Sequence, residues 1–170
     1  MLDKHAEPNV TGGLYNSFRY KWFDLSFLFN YQFGGWSYDS WAQKTEHGGY
    51  DLEANIPTYY ADSWKKPGDV TKYEQFYEKS SSVAMHKITN SRRLHSTDFI
   101  RLKTLTFGFT VPKDWTRKIG IENVRLYASA NNLWTWAAYD YYDPEAVSGG
   151  TAIWGTPPLK TVTFGINVNF

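Results

Sequence analysis

The last ten residues most constrain what this chain can fold into. Val162, Phe164, Ile166, Val168 and Phe170 alternate without a break with Thr161, Thr163, Gly165, Asn167 and Asn169. A repeat of two residues puts each set on its own face of a strand, one apolar and one polar. The pattern returns from Phe23 to Phe33, where Phe23, Leu25, Phe27, Phe29, Tyr31 and Phe33 oppose Asp24, Ser26, Leu28, Asn30 and Gln32. Leu105, Phe107, Phe109 and Val111 oppose Thr104, Thr106, Gly108 and Thr110, and Pro112 ends that ladder. Val124, Leu126, Ala128 and Ala130 oppose Arg125, Tyr127, Ser129 and Asn131. A weaker alternation over Gly13 to Tyr20 leads into Lys21-Trp22, short enough for a hairpin turn. The spacing predicts strands over 11–20, 23–34, 98–111, 123–135 and 159–170.

Strands of this length suit a tilted crossing of a bilayer, which takes about 9–11 residues. Those of a soluble sandwich run nearer ~5–6 residues. Short connections alternate with two long ones, 35–97 and 136–158, as periplasmic turns alternate with long outer loops in transmembrane barrels. The polar faces carry Thr, Ser, Asn, Gln and Gly, which suit a hydrated lumen. Few charges interrupt them: Asp24, Arg125 and Lys160, with Arg101 and Lys103 near the outer end of one strand. Phe27, Phe29, Phe107, Phe109 and Phe164 read as surface facing lipid. The mean hydropathy of −0.53 is compatible with this, because alternating strands average out as polar. No apolar run approaches the ~20 residues of a spanning helix. The expected fold class is therefore all-β, a transmembrane antiparallel β-barrel.

Several function classes drop out. A net charge of +1, from 18 basic and 17 acidic side chains, argues against a nucleic-acid partner. The absence of cysteine excludes disulfides, zinc–thiolate sites and thiol catalysis. His5, His47, His86 and His95 show no metal-binding spacing and read as solvated loop residues. No nucleophile elbow, phosphate loop or dinucleotide fingerprint is present, so no enzyme is indicated. Glu74 and Glu78 fit the exposed face of a short helix over Tyr73 to Lys79 better than a catalytic pair, and Tyr38 to Lys44 is a second short helix candidate. Asp140, Asp143 and Glu145 are oxygen ligands of the kind calcium takes, without EF-hand spacing, and a plain acidic loop explains them better.

The abundant aromatics, 8 Trp, 13 Tyr and 11 Phe, supply the candidate binding residues. Trp36, Tyr38 and Trp41 follow the outer end of one strand, while Tyr139, Tyr141, Tyr142 and Trp154, with Asp143, belong to the other long loop. Sugar rings can lie on such aromatic faces while nearby Asp, Asn and Arg side chains bond to their hydroxyls. Packing within the loops, or against a lid protein, is the competing explanation.

Thr163, Gly165, Val168 and Phe170 fit the terminal assembly signal of bacterial outer-membrane barrels, in which an exposed strand edge pairs with the assembly machinery before closure. The sequence resembles, from about Val10 to Phe170, the carboxyl-terminal part of a SusC/RagA-type TonB-dependent outer-membrane transporter of Bacteroidetes. The resemblance rests on Gly12-Gly13-Leu14-Tyr15-Asn16-Ser17 leading to Trp22-Phe23-Asp24-Leu25-Ser26, on Ala61-Asp62-Ser63-Trp64 before Pro67-Gly68-Asp69, and on the terminal strand. Its most specific parts are Asp98-Phe99-Ile100-Arg101-Leu102-Lys103 and Asn131-Asn132-Leu133-Trp134-Thr135 followed by Asp143-Pro144-Glu145.

The resemblance implies a multi-pass protein of the cell outer membrane that imports oligosaccharides, and sometimes peptides, beneath a SusD-like surface lipoprotein. TonB energises such a transporter through its amino-terminal part. The present chain would be the last five strands of a 22-stranded barrel, without plug domain or TonB box. Five strands cannot close, and their open edges would be unsatisfied in lipid. The charged start, Met1 to Pro8, lacks the apolar stretch of a leader, so a missing leader or an internal start is expected. Two other readings remain open here. One is a soluble, aromatic-rich all-β carbohydrate-binding module, and the other a barrel made by oligomerising five-stranded pieces. Detergent dependence separates the first of these from the barrel readings.

Overall fold

The computed structural model describes residues 3–46, 55–76, 91–117, 120–153 and 155–170. In chain order the strands are β1 (Val10–Tyr20), β2 (Phe23–Phe33), β3 (Trp36–Tyr38), β4 (Leu94–Ser96), β5 (Phe99–Thr110), β6 (Asn123–Ala137), β7 (Val147–Ser148), β8 (Thr151–Ala152) and β9 (Thr161–Asn169). The described residues also form the short α-helices α1 (Ser40–Thr45) and α2 (Lys113–Thr116). The five long strands form one antiparallel sheet in the order β1-β2-β5-β6-β9, each pairing with the next long strand in sequence. The sheet is open, with β1 and β9 at its edges.

Register carries the alternation across the whole sheet. Residues directly opposite each other point to the same face. Phe18, Leu25, Phe107, Ala128 and Phe164 form one row, and Tyr20, Phe23, Phe109, Leu126 and Ile166 the next. Among the described residues much of this face is exposed, Phe164 at 79% and Phe18 at 55%. A soluble monomer rarely leaves so large an apolar surface open. On the other face, Ser17, Ser26, Thr106, Ser129 and Thr163 form an unbroken row of hydroxyls.

Two residues further along this polar face lies the row Arg19, Asp24, Gly108, Tyr127, Gly165. Asp24 of β2 and Arg125 of β6 reach over the intervening β5 to form an ion pair of 2.5 Å. Their side chains occupy the space that a Cβ on Gly108 would need. The Tyr127 ring covers Gly165 in the same way. The two glycines in otherwise regular strands thus mark places where a large neighbour lies flat across the backbone.

The connections differ in kind. Lys21-Trp22 makes the tight β1–β2 turn, with Lys21 at φ 52 in the region glycine usually fills. The two long connections pack on one another at the opposite end of the strands. There β3, β4, β7 and β8 make a second small sheet in the order β4-β3-β8-β7, with a parallel contact between Tyr38 and Thr151. The expected helix after β2 starts two residues later than Tyr38, over Ser40–Thr45, because the Asp39 carboxylate caps it by accepting from Trp41 N and Ala42 N. The helix expected from Tyr73 does not form over Tyr73–Phe76. Tyr73 instead bridges Ser63 in extended backbone, packs on Tyr59 and Tyr60, and Glu74 turns to Arg92. Glu78 lies outside the described residues.

Candidate functional site

Among the described residues, the layer formed by the two long connections holds the nearly fully buried side chains of Ser37, Tyr60, Arg93 and Asp39. Between the connections lies a cavity of about 380 Å³. Trp41, Ala42 and Thr45 of α1 and Pro57 and Tyr59 line one side, and Tyr139, Tyr141, Tyr142, Asp143 and Ala146 the other. Asp39, Ile153, Gly155 and Pro157 complete it. No residue of the five long strands is among these.

Hydrogen bonds hold the rings in place. Tyr139 donates to Asp39 at 2.7 Å, tying the second connection to the helix cap of the first. Tyr142 bonds Ser37, and Tyr59 donates to Glu46 at 2.9 Å. Tyr139 stands 5.1 Å from Tyr141 and 5.2 Å from Tyr142, and Tyr59 meets Tyr141 edge-on at 5.8 Å. Burial pushes the Tyr139 hydroxyl far above the ordinary tyrosine range, and the Asp39 carboxylate raises it further. Tyr59 is raised by burial first and then by Glu46. These phenols are therefore protonated donors throughout the physiological range.

His95 lies flat against Tyr139, 3.7 Å between ring centres at an angle of 9°. It is half-buried, not the solvated loop residue expected from spacing. Burial lowers its pKa below the usual 6.5, and Lys4 lowers it further, against the opposing pull of Asp39 and Glu46. A group depressed in the folded state is stabilising in its neutral form. That contribution is complete above pH 6.5 and is lost as pH falls through 6.5 towards the folded value. Acidification from about pH 7.5 to about pH 5 should therefore raise amide exchange at residues 138–142 beyond the intrinsic change, and His95→Asn should flatten that response.

The two most distinctive sequence blocks meet at Arg101. Its side chain, 3% exposed on the polar face of β5, pairs with Asp143 at 2.6 Å and with Glu145. Its Nε donates to Thr135, and Lys103 adds a second pair to Glu145 at 3.0 Å. Asp143 also accepts from Glu145 N at 2.8 Å. Two of the three carboxylates read as calcium ligands, Asp143 and Glu145, are thus directed at cations of the protein itself. Among the described residues no cluster of three His, Cys, Asp or Glu is arranged to hold a metal ion. The other end of the first block is anchored too, Gly34 N donating to Asp98 at 2.6 Å and Gln32 to Thr97 at 2.9 Å.

Of the aromatic residues singled out by sequence, the fold brings Trp41, Tyr139, Tyr141 and Tyr142 together, with Asp143 beside them. Trp36 stands apart under the Lys4 ammonium, 3.2 Å from the ring centre. Tyr38 sits in β3, its backbone N–H donating to Gly150 O, and does not line the cavity. Trp154, His47 and His86 lie outside the described residues. Asp39, Tyr59 and Pro157 are cavity residues that the sequence reading missed. A helix-cap aspartate and a proline after a turn carry no ligand signal by themselves. In the terminal strand, Thr163 and Gly165 lie on the polar face, and Val168 on the apolar face with the 89%-exposed Phe170 beyond it.

No family model matches the chain. Three proteins of Formosa agariphila are similar to it in sequence. TonB-dependent receptor P39 is 32% identical over 169 residues, which is 95% of this chain and 16% of that receptor. TonB-dependent receptor P3 is 29% identical over 174 residues, 96% of the chain and 16% of the receptor. TonB-dependent receptor P26 is 25% identical over 175 residues, 96% of the chain and 17% of the receptor. The chain therefore spans about a sixth of the length of these relatives. Among solved structures, the RagAB peptide importer in its open-open state matches 99% of this chain and 18% of its own, with a TM-score of 0.84 and 26% identity. Its closed-closed state matches with a TM-score of 0.83.

Proposed function

The chain is a SusC/RagA-like TonB-dependent transporter segment, and on that premise we propose that it forms wall and outer loops of an oligosaccharide importer in the cell outer membrane. The relatives are receptors and importers, and the chain is not an enzyme. One observation carries the reading. Two connections far apart in sequence converge on a ring-lined cavity at one end of a sheet whose far face is apolar.

Each part of the transporter has a place in this reading. The apolar face meets lipid and the hydroxyl-rich face the lumen. The connections at residues 35–97 and 136–158 lie outside, where a SusD-like lipoprotein would cover them. The TonB complex would act through an amino-terminal part of the transporter, and the assembly machinery would read Thr163, Gly165, Val168 and Phe170. In the cavity, Trp41, Tyr59 and Tyr141 offer faces for the CH side of a sugar ring, and phenol hydroxyls meet its oxygens. Calcium at Asp143 and Glu145 would have to displace Arg101, so the reading includes no cofactor. A peptide cargo is the second reading, favoured by the likeness to the RagAB peptide importer.

Purified full-length transporter, titrated with neutral oligosaccharides and with peptides of matched length, tests the choice. Saccharide binding that Trp41→Ala weakens about tenfold supports the first reading. Binding of peptides alone would replace it with the second.

A further inference from the structure

The cavity between the connections shares a wall with a second one. This inner cavity, about 320 Å³, has its floor on the polar face of the sheet, where Arg101 and Thr135 pair across β5 and β6. Tyr141, Tyr142, Asp143 and Pro157 line both cavities. Arg101 holds this wall from behind through Asp143, while Tyr141 stays 67% exposed at its edge.

The two cavities differ in chemistry. Rings dominate the outer one, whereas Asn132, Asp140 and Lys160 line the inner one. Asn132 sits at φ 52, where the β5–β6 register is irregular, and its Nδ2 donates to Leu159 O at 3.2 Å. Its Oδ1 is buried with no hydrogen-bond partner among the described residues. A buried acceptor in that state is normally completed by ordered water or by a donor outside the described residues.

We propose that the inner cavity is a second subsite for the same ligand. A linear oligomer crosses the Tyr141–Tyr142 wall, with one unit on the aromatic rings and the next donating an O–H or N–H to Asn132. This rests on the binding role proposed above and adds a direction: the leading unit lies against the polar face of the sheet. The ligand is a chain of at least two units carrying hydroxyl or amide donors.

The test titrates full-length transporter with size-graded gluco-, manno- and xylo-oligosaccharides and with oligoalanines, from one unit to about six. Because the second contact is made within one bound chain, affinity should rise about tenfold between one unit and three and then level off. Asn132→Gly, which suits the positive φ, and Lys160→Met at an exposed position should each remove most of that gain and leave single-unit affinity within about twofold. Affinity independent of length, or loss in these variants equal at every length, would overturn the second subsite. A length gain for peptides alone overturns the saccharide reading and keeps the tandem site. Binding of neither series overturns both.

Discussion

Leu105→Arg should abolish assembly of the barrel that contains this chain, while Thr106→Arg, one residue away, should leave assembly largely intact. Leu105 lies midway along β5, opposite Phe27 and Ala130 on the apolar face. An arginine there would stand near the bilayer midplane, where it costs ~2–4 kcal/mol. That is a large fraction of the ~5–15 kcal/mol by which a folded domain is usually stable. Thr106 lies in the hydroxyl row on the other face and bonds Ser129 at 3.1 Å. An arginine there reaches the lumen and loses one hydrogen bond, about 0.5–1.5 kcal/mol. Heat-modifiable migration of outer-membrane fractions reads the difference. Equal loss in both variants would mean that the two faces do not meet different solvents.

The second large effect is expected at Arg101. Arg101→Met leaves Asp143, 7% exposed, without its cation beside Glu145, which keeps only Lys103. Removing one partner of a buried pair costs about 3–5 kcal/mol, because the charge left behind is unsatisfied. The loss should appear as faster amide exchange over residues 138–150, with β1, β2 and β9 unchanged. The triple variant Arg101→Met, Asp143→Asn, Glu145→Gln leaves no buried charge orphaned, since Lys103, which loses Glu145, is 37% exposed, and it should recover most of the protection. Recovery of none of it would show that the ion pairs do not hold the connection. Lysine is a poor substitute at this position, since one ammonium cannot serve two carboxylates and Thr135 with the fixed fork of a guanidinium.

The sheet was legible in the sequence because its physics is local. Every second side chain from Phe23 to Phe33 and from Thr161 to Phe170 declares its face, and register only repeats that choice across neighbours. Gly165 was legible as a place of close approach, though not that the Tyr127 ring would be what approaches. The ring-lined layer was half legible. Tyr139, Tyr141 and Tyr142 are close in sequence and stay close in space. Trp36 and Tyr38 were grouped with Trp41 by the same adjacency, but β3 runs through them and the Asp39 cap turns the chain, so only Trp41 reaches the cavity. Tyr59 arrives from a separate turn. Arg101 and Asp143 are 42 residues apart, and no spacing rule joins them. The one available signal was the pair Arg101 and Lys103, charges at the outer end of a strand whose polar face otherwise carries small groups.

The central claim is that the two faces of the five-stranded sheet meet lipid and water in strict alternation. The direct measurement places single cysteines at residues 104, 105, 106, 107, 109 and 110 of this cysteine-free segment, in barrels reconstituted into vesicles. Each carries an environment-sensitive fluorophore, and quenchers are supplied either in the lipid chains or in the water. Residues 105, 107 and 109 should be quenched from lipid, and 104, 106 and 110 from water. Quenching from water at all six positions would contradict the account and return the chain to a soluble β-sheet.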